Sequence, residues 1–107
     1  MAEKSVESTI KQYIKAVRGL GIHVRHVVLF GSYARKNAGE WSDIDLIIIA
    51  PEFEPPVDRE LVSQLWELRA VTDSRIEPIP CGEREWETDD TRPIIEIARR
   101  EGIIIAA

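Results

Sequence analysis

Hydrophobic side chains near the start of the chain fall at three- and four-residue steps, Val6, Ile10, Tyr13, Ile14 and Val17, with charged residues between them. That period fits one face of an α-helix and predicts an amphipathic helix from Ser5 to Leu20, ended by Gly19 and Gly21. The pattern then changes. Val24 to Phe30 is an apolar run that reads as a first strand, and Ser32 to Lys36 as the start of a short helix after the turn. Lys36 to Trp41 is a polar loop holding Asn37 and Gly39. Asp43 to Ala50 reads as a second strand, and its segment Leu46-Ile47-Ile48-Ile49 is apolar on both faces, which predicts a central place in a sheet. Pro51, Pro55 and Pro56 punctuate the next stretch, and Asp58 is placed to cap a helix from Arg59 to about Val71 with Leu61, Val62, Leu65, Trp66 and Leu68 as its buried stripe. Arg75 to Ile79 reads as a third strand, which Pro78 and Pro80 send to an edge or cut short. A short polar connection holds Cys81-Gly82 and Trp86. Asp89 to Thr91 can cap a last helix from near Pro93 to Glu101, ended by Gly102. Ile103-Ile104-Ile105 is then a final strand or a segment that docks on a partner. The expectation is an α/β fold, a small mixed β-sheet flanked by α-helices, in one domain over residues 1–107.

Composition narrows the function. A chain of 107 residues is large enough for one core but too small for a catalytic domain plus a separate substrate domain. Its formal net charge of -5 argues against strong nucleic-acid binding, which runs on clustered Lys and Arg, yet leaves room for a nucleotide whose phosphates are carried by metal ions. The single cysteine, Cys81, cannot form an internal disulfide, and no secretory signal or membrane-length apolar stretch is present. A soluble cytoplasmic protein with no membrane association is expected.

The chemistry concentrates around the first two strands. Gly31-Ser32 comes directly after the first apolar run, and Asp43-Ile44-Asp45 opens the second. On a strand, alternate side chains share a face, so Asp43 and Asp45 are presented together while Ile44 points away. Adjacent carboxylates repel, and a hard divalent ion such as Mg²⁺ relieves the repulsion while bringing substrate phosphates with it. A glycine at a strand-to-helix turn lets the backbone approach a triphosphate, and Ser32 adds a hydroxyl donor. A two-metal arrangement calls for another carboxylate on a neighbouring strand. Glu77, in the middle of the third strand, is the candidate, with Asp73 at the preceding turn as the competitor.

Gly31-Ser32-Tyr33-Ala34-Arg35 followed by Ser42-Asp43-Ile44-Asp45-Leu46 resembles the signature of nucleotidyltransferases built on the DNA polymerase beta palm, most closely the minimal single-domain branch paired with HEPN-type toxins. The resemblance implies that fold, triphosphate phosphates held at Gly31 and Ser32, Mg²⁺ held by Asp43 and Asp45, and a third carboxylate, Glu77, as base or second-metal ligand. It also implies transfer of a nucleoside monophosphate, AMP from ATP as the first expectation, to a hydroxyl on a HEPN toxin, in an antitoxin role. Two residues depart from the family pattern: Lys36 stands where Gly is common, and Glu77 where Asp is common. A small-molecule nucleotidyltransferase is the rival enzyme, although those resemble longer chains. A fold that neutralises its partner by contact, without turnover, is the rival outside catalysis.

The remaining chemistry-bearing residues weigh less. Arg35 divides evenly between a phosphate contact and a surface ion pair. His23 and His26 lack a metal-ligand partner at diagnostic spacing and read as structural. Cys81 reads as an inert residue near a turn, since no neighbouring His completes a nucleophile pair. Trp66 belongs to the helical stripe and is expected in the core, Trp41 closes its loop or stacks on a base, and Trp86 marks a contact surface. The cluster Glu83-Arg84-Glu85, Glu87, Asp89, Asp90 reads as a solvated face.

Overall fold

The apolar stripe of the first helix finds its partner in a four-stranded sheet. In a computed structural model, which describes residues 2–35, 39, 42–89 and 91–106, the elements run α1 (Ala2–Gly19), β1 (His26–Phe30), β2 (Ile44–Ile49), a 3-10 turn at Pro51–Phe53, α2 (Arg59–Glu67) prolonged by a 3-10 turn at Leu68–Val71, β3 (Ile76–Cys81), α3 (Glu83–Thr88), α4 (Pro93–Glu101) and β4 (Ile103–Ala106). The strand order is β3-β2-β1-β4. β1 is antiparallel to both β2 and β4, whereas β2 and β3 are parallel. The sheet is therefore mixed, as expected.

Strand alternation divides the core between the two faces. Val27, Leu29, Ile44, Leu46, Ile48 and Ile76 pack against Ile10, Tyr13 and Val17 of α1 and Leu65 of α2, while Val28, Phe30, Ile47, Ile49 and Cys81 pack against Ile95 and Ala98 of α4. A strand covered on both sides has no polar face, which is why β2 reads as an unbroken apolar run. The buried Tyr13 hydroxyl donates to Leu65 O at 2.6 Å, tying α1 to α2, and burial pushes its ionisation well above the ordinary tyrosine range.

Pro78 and Pro80 fit because β3 is an edge strand. The carbonyls of Arg75 and Cys81 accept from Ile44 and Ala50 of the β2 segment at 2.8 and 3.1 Å, so odd-numbered residues bond inward. The proline nitrogens, which have no hydrogen to donate, then face the open edge.

Several expectations need correcting. β1 begins at His26 rather than Val24, because Val24 N–H closes a tight turn onto Ile22 O at 3.1 Å. The segment after Gly31 makes one helical-type turn, Arg35 N–H donating to Gly31 O at 3.1 Å, and residues 36–38, 40 and 41 lie outside the described part. α2 gives way at Leu68 to the 3-10 turn, with Asp58 capping as expected through Glu60 N–H at 2.8 Å. Trp66 is not core: it is 40% exposed, with the Arg69 guanidinium 4.8 Å from its ring centroid. β3 continues through its prolines to Cys81, and the polar connection after it contains α3. Gly82 N–H donates to Glu85 Oε1 at 2.9 Å at the start of that helix, and Glu85 also pairs with Arg92 at 3.1 Å, so this part of the acidic cluster is structural rather than solvated. Asp89 accepts from Thr91 N–H and Oγ1 at 2.7 Å, but the cap position of α4 is Arg92. Among the described residues no helix is long and apolar enough to cross a membrane.

Candidate active site

β1 delivers the chain to Gly31, whose φ of +76° belongs to the left-handed region that glycine adopts without a Cβ penalty. Space demands glycine as well. A Cβ there would collide with Oδ2 of Asp45, because Phe30 and Asp45 are register partners and the turn folds directly over the carboxylate. Ser32 comes next, half-buried.

The three carboxylates come from two parallel strands. Asp43 is exposed just before β2, Asp45 is half-buried one residue into it, and Glu77 of β3 pairs in register with Asp45. The close approach of the Asp43 side chain, then burial and the charges of Asp43 and Asp45, raise Glu77 above the ordinary carboxylate range, while Arg69 opposes the shift. Burial, then the charge of Asp43, raises Asp45 against the pull of Arg35. Both shifts combine burial with crowding of like charge.

Among the described residues, no three His, Cys, Asp or Glu side chains are already gathered into a metal cage. The carboxylates form an open, crowded row instead. Such a donor set fits Mg²⁺, which binds through one or two carboxylates and keeps water and substrate oxygens as its other ligands.

Of the other sequence candidates, Arg35 is exposed and paired with Glu101 of α4 at 3.3 Å. Asp73 is taken by Arg75, whose Nη2 lies 2.8 Å from its Oδ2; hydrogen bonding to Arg75 holds Asp73 below the ordinary range. It is thus a neutralised turn residue rather than a member of the carboxylate row. His23 pairs with Glu52 at 2.5 Å near the opposite end of β1, and the Nδ1 of His26 is buried without a hydrogen-bond partner among the described residues. Cys81 is buried within β3 rather than at a turn, its thiol pushed up to about 12 by burial first and the charge of Glu85 second. Trp86 is half-buried in the α4-side core, with Arg99 5.7 Å from its ring centroid, so it is not a free contact surface. Trp41 lies outside the described residues. Sequence reasoning missed Arg69, whose charge acts on Glu77, and the contact between Arg75 and the hydroxyl of Tyr33; only the Asp73-x-Arg75-x-Glu77 alternation gave a signal.

Residues 10–103 match the family model described as a nucleotidyltransferase domain. A protein of Methanocaldococcus jannaschii provisionally named a protein adenylyltransferase is 39% identical over 51 residues, which is 47% of this chain and 35% of that protein. The match therefore spans about a third of its length. The fold is similar to a crystal structure from Sulfolobus solfataricus provisionally described as a nucleotidyltransferase, with a TM-score of 0.66 and 16% identity, over 95% of this chain and 80% of that one. It is also similar to a chain in a toxin–antitoxin structure with AMP-PNP, with a TM-score of 0.63 and 20% identity, over 92% of this chain and 71% of that one.

Proposed function

Because the chain belongs to the nucleotidyltransferase domain family, we propose that it transfers AMP from ATP to a hydroxyl side chain of a partner protein, a HEPN-type toxin that it restrains as antitoxin. The observation that carries this reading is the register of Asp45 with Glu77 beneath the Gly31 turn. It supports a reading in which phosphates sit beside a base. The protein acceptor and the toxin are supported by the name of the M. jannaschii relative and by the toxin–antitoxin neighbour.

Gly31 lets the backbone reach the triphosphate and Ser32 offers a hydroxyl donor. Asp43 and Asp45 would hold Mg²⁺, with Glu77 at a second ion or as base; when bound, the metal supplies charge neutralisation for the phosphoryl group. The acceptor oxygen forms a bond to the α-phosphorus, the bond to pyrophosphate breaks, and Glu77 receives the acceptor proton.

The test is transfer of label from ATP labelled at the α-phosphate, with Mg²⁺, to the product of the adjacent gene. Glu77→Gln should cut turnover by roughly a hundredfold or more, the usual size of a general-base contribution, with far less change in ATP affinity. A parent protein that binds its partner tightly but never labels it would replace catalysis by restraint through contact.

A further inference from the structure

Three segments carry the candidate site: the turn after β1, the entry to β2, and β3. One residue touches all three. The carbonyl of Arg75 accepts the N–H of Ile44, between Asp43 and Asp45, at 2.8 Å. Its own N–H donates to Asp73 Oδ1 at 2.8 Å, and its Nε lies 3.1 and 3.3 Å from the two Asp73 oxygens, with Nη2 at 2.8 Å from Oδ2. On the far side of the guanidinium, Nη1 donates to the hydroxyl of Tyr33 at 3.2 Å. Tyr33 belongs to the Gly31-Ser32 turn, and its ring packs against the α1-side core.

We propose that Asp73, Arg75 and Tyr33 form a positioning brace that holds the Gly31-Ser32 turn in register with Asp43, Asp45 and Glu77, so that a triphosphate and its metal meet aligned partners. The proposal rests on the nucleotidyl-transfer reading above. Arginine suits the task because its planar fork satisfies a carboxylate with one edge while a further N–H reaches elsewhere in a fixed direction, which a lysine point charge cannot do. Asp73 supplies a second benefit. By engaging Arg75, it keeps the guanidinium from folding onto Glu77, two residues along the same strand face. The brace residues are each partly buried, with Arg75 and Asp73 side chains 31% and 21% exposed, so their contribution is fixed direction more than Coulomb energy.

The brace predicts that the triphosphate and metal sites are coupled through it. Affinity for a non-hydrolysable ATP analogue is measured by titration calorimetry with and without Mg²⁺, and the factor by which Mg²⁺ strengthens binding is compared among variants. Tyr33→Phe, which keeps the ring packing, should lower that factor roughly fivefold, and Arg75→Gln roughly tenfold, at unchanged melting temperature for Tyr33→Phe. The double variant should be no worse than Arg75→Gln, since both break one chain of contacts. Parent-like factors in Tyr33→Phe, or losses that multiply in the double variant, would overturn the brace while leaving nucleotidyl transfer standing. A parent protein with no Mg²⁺-dependent triphosphate binding would overturn both.

Discussion

At the scale of single residues, Gly31 and Asp45 constrain each other through one close approach. Gly31→Val places a branched side chain against the Asp45 carboxylate at a positive φ, so ATP binding should be lost while Ser32→Ala, which removes one donor of several, should be milder. Calorimetric titration separates them, and ATP affinity in Gly31→Val equal to the parent would refute the cradle. Asp43→Asn/Asp45→Asn should abolish Mg²⁺-dependent transfer, yet its melting temperature without metal should be no lower than the parent's. The sign comes from Asp45, whose carboxyl is raised by burial first and the charge of Asp43 second: the folded state disfavours its charge, so ionisation at neutral pH works against folding. Asp73 has the opposite sign. Its carboxyl is held below its ordinary value, so its stabilisation is present above the unfolded pKa of about 3.9 and lost as pH falls through the lower folded value. The stability gap between the parent and Asp73→Asn should therefore be constant near neutrality and close under acid; a gap that persists at low pH would argue against the pairing. Gly31, Ser32, Asp43 and Asp45 were legible because turn chemistry and strand alternation are local. Tyr33 and Arg75 were not, because their contact depends on β3 returning beside β2, which no local pattern encodes.

At the scale of elements, periodicity located the segments it governs and missed those that other forces hold. The Leu65-Trp66 pair shows the limit. Neighbouring helical positions point about 100° apart, so when Leu65 faces the sheet, Trp66 swings outward, and a hydrophobic stripe that names both overcounts the buried face. Glu83-Arg84-Glu85-Trp86-Glu87-Thr88 has too little apolar period to announce α3. What holds it is polar: Glu85 at its first turn, the Arg84 N–H donating to Glu54 at 3.1 Å, and Arg99 of α4 donating to the Glu85 carbonyl at 2.8 Å. Periodicity succeeded for α1, whose stripe meets the sheet, and its junction with α2 can be tested. Tyr13→Phe should leave the Leu65 carbonyl buried without its donor, costing about 1–3 kcal/mol in urea unfolding. A loss below a few tenths of a kcal/mol would show that the hydroxyl is not what joins them.

At the scale of the whole molecule, the site lies where the sheet changes from antiparallel to parallel pairing, and its acidic row is a concentrated part of the chain's formal net charge of -5. Millimolar Mg²⁺ should consequently raise the melting temperature by a few degrees, about the shift expected from 1 kcal/mol of linked binding in a domain of this size. Asp43→Asn/Asp45→Asn should lose that rise; an equal rise would place the ion elsewhere. The pairing of Gly31 with Asp45 has a consequence for descent. While Asp45 keeps its carboxylate, every side chain at position 31 is opposed twice, by strain and by collision. A lineage that shortened Asp45 would lift the collision and leave only the strain. Loss of the carboxylate would thus loosen selection on the glycine, and the double change Gly31→Ala/Asp45→Ala should cost less stability than the sum of its parts.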